Sequence, residues 1–340
     1  TINRAAQLVR AGQRVVIKSG VYREQITPRF GGDGPDRMVS YEAAPGARVV
    51  IMGSREVPSA WKPSRNPGQF SERLWMVTLP ESLFERGNPF ALQNASAEDI
   101  AIMPWAKQWA GRVPYTLKRG LIFQDGRRLA QMAVYEDLVR LAGSYWVGPD
   151  SLTLHIHPFD DVNPNDCLME VTVQQHLFKP DVTDLGYVRI KGLTFMHAGN
   201  GYPRTGVGAI FAMGGHHWLI EDNVVAQVGS VGIEIGTRSL ESADREKNRL
   251  DNERAERSPG CIIVRDNHLS ECGTGGIQGL EVRRALVENN QIFHCGWQDV
   301  ERYYETAGIK LLVNEGTLVR RNVIGHFTAG PAIWLDWDNK

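Results

Sequence analysis

One short pattern returns four times in the second half of the chain and limits what the chain can fold into. It is two apolar residues, two polar residues and an asparagine: Leu219-Ile220-Glu221-Asp222-Asn223, Ile263-Val264-Arg265-Asp266-Asn267, Leu286-Val287-Glu288-Asn289-Asn290 and Leu318-Val319-Arg320-Arg321-Asn322. Successive asparagines are 44, 23 and 32 residues apart, a bare repeat of 23 and two repeats carrying insertions. A second apolar strand, a glycine turn and a Gly-Ile strand follow each asparagine. A unit of this length cannot bury its apolar side chains alone, so coils must stack on one another, which is the signature of a parallel β-helix.

The repeat fixes an alignment. The Gly-Ile strands read Ile233-Glu234-Ile235-Gly236, Ile277-Gln278-Gly279-Leu280, Ile309-Lys310-Leu311-Leu312 and Ile333-Trp334-Leu335-Asp336. Period-two alternation puts the isoleucines inside and predicts a solvent-facing column of Phe211, Glu234, Gln278, Lys310 and Trp334, with Asp336 two residues further along. Such a column suits a sugar groove: an aromatic plane packs on a pyranose face while carboxylates and an ammonium fix its hydroxyls. Asp336 is the most pointed of these residues, because Trp334 and Trp337 flank it in Trp-Leu-Asp-Trp. The asparagines themselves are expected to ladder from coil to coil at a turn. Cys272 and Cys295, each five residues past an asparagine, are expected as neighbouring buried thiols rather than a disulfide.

Before the repeats the texture differs. Ile2 to Ala11 has helical spacing with Gly12 as a stop, predicting an N-terminal capping helix, and short strands such as Gly20-Val21-Tyr22-Arg23-Glu24 and Val49-Val50-Ile51 follow without helices between them. From about Pro58 the sequence turns to hairpin signals. Asp125-Gly126 between two apolar arms predicts a tight hairpin, and Ser151 to His157 alternates at period two. The expected fold class is therefore all-β, a right-handed parallel β-helix (pectate-lyase-like) with an inserted β-sandwich-like module and an N-terminal capping helix. The expected organisation is cap and first coils in 1–57, the inserted module in 58–180, and groove-bearing coils in 181–340, with a charged loop insertion at 237–257.

Composition removes several function classes. With 38 basic and 39 acidic side chains the formal charge is −1, without the basic surplus a nucleic-acid binder needs. No apolar run approaches the roughly 18 residues of a membrane span. No metal or other cofactor is indicated: His155 with His157, and His216 with His217, lack a third ligand at suitable spacing. The four cysteines, Cys167, Cys261, Cys272 and Cys295, fix no compartment, and a cytoplasmic or a secreted or periplasmic bacterial setting is compatible with them.

Three stretches resemble glycoside hydrolase family 120, the β-xylosidase family: Thr1 to Ser54, Glu305-Thr306-Ala307-Gly308-Ile309-Lys310-Leu311, and Trp334-Leu335-Asp336-Trp337. Glycoside hydrolase family 141 is a more distant likeness. The resemblance implies a right-handed β-helix with a β-sandwich insertion and retaining removal of a terminal sugar. It implies that Asp336 is the nucleophile, that Glu305 and Lys310 line the sugar pocket, and that the acid/base is a glutamate on the coil after Lys340. The loop from Pro104-Trp105 to Tyr115 and the charged insertion depart from the family pattern, so the sugar need not be xylose.

The chemistry implied is double displacement, with Asp336 attacking the anomeric carbon and a carboxylic acid protonating the leaving oxygen. Within the chain only Glu305 and Glu234 could stand in for that acid. Trp334, Trp337, Glu234 and Gln278 complete the expected substrate-binding set, the partner being an oligo- or polysaccharide. Homo-oligomerisation is compatible with this reading, and further C-terminal coils or a second chain are expected to complete the helix. The alternatives are a polysaccharide lyase, for which Asp160-Asp161 with Asp166 is the acidic cluster available, and a non-catalytic carbohydrate-binding β-helix.

Overall fold

In a computed structural model of the chain, the described residues are all except 59, 67–68, 103, 202–205, 237–259 and 301–304. The charged 237–257 stretch therefore lies outside the described residues. Three parallel sheets wind into a right-handed β-helix. The first has seven strands, from Arg14–Ile17 and Val39–Ala43 through Leu219–Glu221, Ile263–Arg265 and Leu286–Glu288 to Leu318–Arg320. The second, also of seven, runs from Gly20–Tyr22 to Val323–Gly325. The third has five, Ile210–Phe211, Val231–Glu234, Gly275–Leu280, Ala307–Leu312 and Ile333–Leu335.

The turn between the first two sheets explains the asparagine pattern. The residue before each asparagine takes a left-handed conformation, Asp222 at φ 57°, Asp266 at 57°, Asn289 at 55° and Arg321 at 56°, where short polar side chains are tolerated best. The corner buries the asparagine, and its amide then links the coils. Asn223 Nδ2 donates to Asn267 Oδ1 at 3.0 Å, Asn267 Nδ2 to Asn290 Oδ1 at 3.0 Å, and Asn290 Nδ2 to Asn322 Oδ1 at 2.9 Å. Each amide also donates to a backbone carbonyl of the preceding coil, as Asn267 Nδ2 does to Ile220 O. Losing one rung would orphan buried groups at about 1–3 kcal/mol each.

Inward positions fill one continuous core. Ile233, Ile277 and Ile309 are buried and in register, and Cys272 and Cys295 are buried free thiols in the same core. The short helix Ile2–Ala6 is capped by the Thr1 side chain, which accepts from Arg4 N, and sets Ile2 and Ala6 over the first coil.

After Val49–Met52 the chain leaves the helix and returns at Phe178, which bridges Ile26 and Ile210 in line with the third sheet. The excursion builds two further sheets around their own core, which includes Ile122, Leu129, Tyr145, Ile156 and Val171. The Asp125-Gly126 hairpin forms as its sequence predicts, with both φ values positive, 50° and 77°, the geometry that matches strand twist.

The hairpin also docks the module onto the helix, where Phe123 stacks on His197 with ring centroids 3.5 Å apart. His197 Nδ1 bonds Ser54 Oγ at 2.9 Å and its Nε2 bonds Gln227 at 3.0 Å. Burial pushes the His197 imidazole down to about 4. A histidine that resists protonation when folded takes up more protons unfolded, so stability is full above the unfolded value near 6.5 and falls as the pH drops toward 4. The loss across that window is about 3 kcal/mol, and urea midpoints should fall between pH 7 and pH 4.5. A His197→Gln variant, less stable at every pH, should show a flatter dependence. An unchanged slope in the variant would assign the acid sensitivity elsewhere.

Candidate active site

The third sheet carries the outward column in the register its sequence dictates: Phe211 opposite Glu234, Glu234 opposite Gln278, Gln278 opposite Lys310, and Lys310 opposite Trp334. Its environment differs from the expectation. The column is not open to solvent, since Glu234, Gln278 and Lys310 are 0%, 3% and 2% exposed. The reason at Glu234 is the loop between the second and third sheets. Gly206 N donates to Glu234 Oε1 at 2.6 Å, and Val207 N and Gly208 N donate to Oε2 at 2.7 and 2.9 Å. The loop approaches so closely that a Cβ at Gly208 would lie 2.6 Å from Glu234 Cβ. Glu234 thus spends its carboxylate on folding the loop over the column. Gln278, one coil on, has a buried Nε2 without a partner.

At the next coil the column becomes charged again. Lys310 Nζ lies 2.8 Å from Glu305 Oε2 and 3.2 Å from Asp336 Oδ2, and sits 3.9 Å from the centroid of the Trp334 ring. The ammonium is thereby held by two carboxylates and a π-face. Exposure is graded across the group: the side chains of Lys310, Glu305 and Asp336 are 2%, 13% and 25% exposed. Asp336 directly follows the strand Ile333–Leu335. Its Oδ1 accepts from Trp337 N at 2.9 Å, and its own N–H donates to Leu311 O at 2.9 Å, which pins the strand end to the coil before it.

Trp334 covers Lys310, and the backbone of Trp337 holds the Asp336 carboxylate. Glu305 adopts φ 84°, a left-handed backbone that costs a non-glycine residue about 1–2 kcal/mol and that clusters at functional sites. Its sequence gave no sign of this.

Among the described residues no group of three or more His, Cys, Asp or Glu is arranged to hold a metal ion. Asp160 pairs with Arg127 and Asp161 with His157, and His155 bonds Ser64. His216 and His217 bond each other through their Nδ1 atoms at 2.8 Å.

A family model described as the right-handed β-helix region matches residues 182–336. No curated protein matches the sequence. Among solved structures, one described as the complex structure of XylC with xylose is similar over 99% of this chain, with 24% identity and a TM-score of 0.82. The chain spans 57% of the length of that XylC chain. A lacto-N-biosidase of glycoside hydrolase family 136 from Eubacterium ramulus is similar at a TM-score of 0.47 and 12% identity, over 95% of this chain and 47% of that one. This is a right-handed β-helix protein whose fold, over 99% of this chain, matches part of the XylC structure.

Proposed function

We propose that this protein is a retaining glycoside hydrolase that removes a terminal sugar, β-xylosidase-like, from an oligo- or polysaccharide, with Asp336 as nucleophile. The observation that carries the reading is the charge group on the third sheet, in which a buried Lys310 bridges the carboxylates of Glu305 and Asp336. The XylC structure with xylose supports the substrate class, since its fold matches at a TM-score of 0.82.

In this mechanism Asp336 Oδ2 forms a bond to the anomeric carbon as the glycosidic C–O bond breaks, giving a glycosyl-enzyme that water then hydrolyses with net retention. The departing oxygen takes its proton from a carboxylic acid. Glu234 is unsuited to that role because three backbone N–H groups hold it as an acceptor. Glu305 is unsuited because carrying a proton would forfeit its ion pair with Lys310. The glutamate implied on the following coil remains the candidate. Glu305, Gln278, Trp334 and Trp337 bind and orient the sugar, with the unpartnered Gln278 Nε2 a donor in reserve for a hydroxyl.

The test is a panel of nitrophenyl xylosides, arabinosides and fucosides, with the product anomer followed by proton NMR. Nitrophenol release with first-formed product of unchanged anomeric configuration is the expected result. An inverted product defeats the nucleophile assignment. Release of ultraviolet-absorbing unsaturated uronate from a uronate polymer, with every aryl glycoside left intact, would move the protein to the lyases.

A further inference from the structure

Away from the Asp336 group, a cleft of about 380 Å³ opens where the inserted module meets the turn between the second and third sheets. The hairpin strand Arg127–Arg128 brings Arg128 to it, with its guanidinium 3.5 Å from the Trp297 ring centroid. Stacking uses the face of a guanidinium and leaves its in-plane N–H fork for a ligand. Arg128 Nε is buried with no hydrogen-bond partner, Glu271 is the carboxylate whose charge acts on the guanidinium, and Asp299 also lines the cleft. Lys118 lines the same cleft.

The same cleft holds a complementary orphan. Asn94 Nδ2 donates to Gln298 Oε1 at 2.5 Å and to Pro114 O at 3.3 Å, which fixes the amide and leaves its Oδ1 buried without a donor. Leu117, Leu121 and Leu129 also line the cleft. A buried cationic donor asks for an anionic acceptor, a buried amide oxygen asks for a hydroxyl, and apolar walls suit the C–H face of a ring. A bare anion would satisfy only the first of these.

We propose that this cleft is a binding site for a sugar acid, a hydroxylated ring bearing a carboxylate, held by Arg128 through the carboxylate and by Asn94 through a hydroxyl. Neither Asp336 nor Lys310 lines it, so the site stands whether or not the glycosidase reading does. Its occupancy would place an acidic side group or an acidic chain end against the inserted module.

Calorimetric titration of the protein with sodium D-glucuronate, D-glucose and inorganic phosphate tests the proposal. Glucuronate should bind at least about tenfold more tightly than either glucose or phosphate, as a charge-assisted pair plus a hydroxyl bond requires. Arg128→Gln should lose that preference, and Lys118→Gln, a change at a second residue lining the cleft, should weaken glucuronate and leave glucose unaffected. Asp336→Ala should bind glucuronate as the parent does. Phosphate binding as tight as glucuronate would reduce the site to an adventitious ion only. An absence of glucuronate binding to the parent, with Arg128→Gln merely lowering the melting temperature, would make Arg128 a structural strap between module and helix. Loss of glucuronate binding on Asp336→Ala would show that the sugar acid sits at the candidate active site instead.

Discussion

Replacing Asp336 by Ala should lower hydrolysis of an aryl glycoside by on the order of 10⁴-fold, the scale on which catalysis falls when a nucleophile is removed. A dinitrophenyl glycoside is the substrate of choice, because its leaving group departs without a proton and isolates the nucleophilic step. The fold should survive the change, since Asp336 stands at a strand end with its side chain 25% exposed and its backbone bond to Leu311 O does not involve the carboxylate. Two readouts separate a nucleophile from a charge that merely assists. A 2-fluoro glycosyl fluoride should leave a covalent sugar on the peptide that contains Asp336, found by mass spectrometry. Azide added to Asp336→Ala should restore turnover and give a glycosyl azide of opposite anomeric configuration, because azide then attacks from the vacated side. A label on a different carboxylate would displace Asp336 from the mechanism and leave it a partner of Lys310.

How much of this could be read beforehand follows from which interactions are periodic. The asparagine corners and the isoleucine stack repeat with the coil, so their register could be aligned on paper, and Ile233, Ile277, Ile309 and Ile333 do face one another. The Lys310 to Asp336 contact followed from the same alignment, as residues of adjoining coils on one outward face. The cover over the column did not. It is made by the loop at Gly206–Gly208, which has no counterpart in the repeat, and nothing in Glu234 announces three backbone donors. Nor does any local pattern join Arg128 to Trp297, which meet only because a hairpin in the insertion leans on a turn of the helix. Periodic sequence specifies the scaffold, whereas aperiodic loops decide which outward side chains are spent on structure and which stay available.

Lys310→Met is expected to have the second large effect, on stability and activity together. Methionine keeps the apolar stem of lysine but removes the charge that holds Glu305 and Asp336 near one another. Removing one partner of a buried ion pair leaves the other uncompensated, at about 3–5 kcal/mol, and the 13% exposure of the Glu305 side chain gives it little water to turn to. The urea midpoint should fall accordingly. Activity on the dinitrophenyl substrate should fall by roughly 10²-fold or more, because the loss of the ammonium releases the Asp336 carboxylate from its position and a small misplacement of a reacting group is that costly. The double variant Lys310→Met with Glu305→Gln separates the two effects. It removes the stranded charge, so it should recover a substantial part of the stability, since residues in one network couple non-additively. It should recover none of the activity, because Asp336 still lacks its counter-ion. Recovery of both would mean that Lys310 served only to neutralise Glu305. Retention of full activity by Lys310→Met itself would make the ammonium a structural ion pair and remove it from the proposed site.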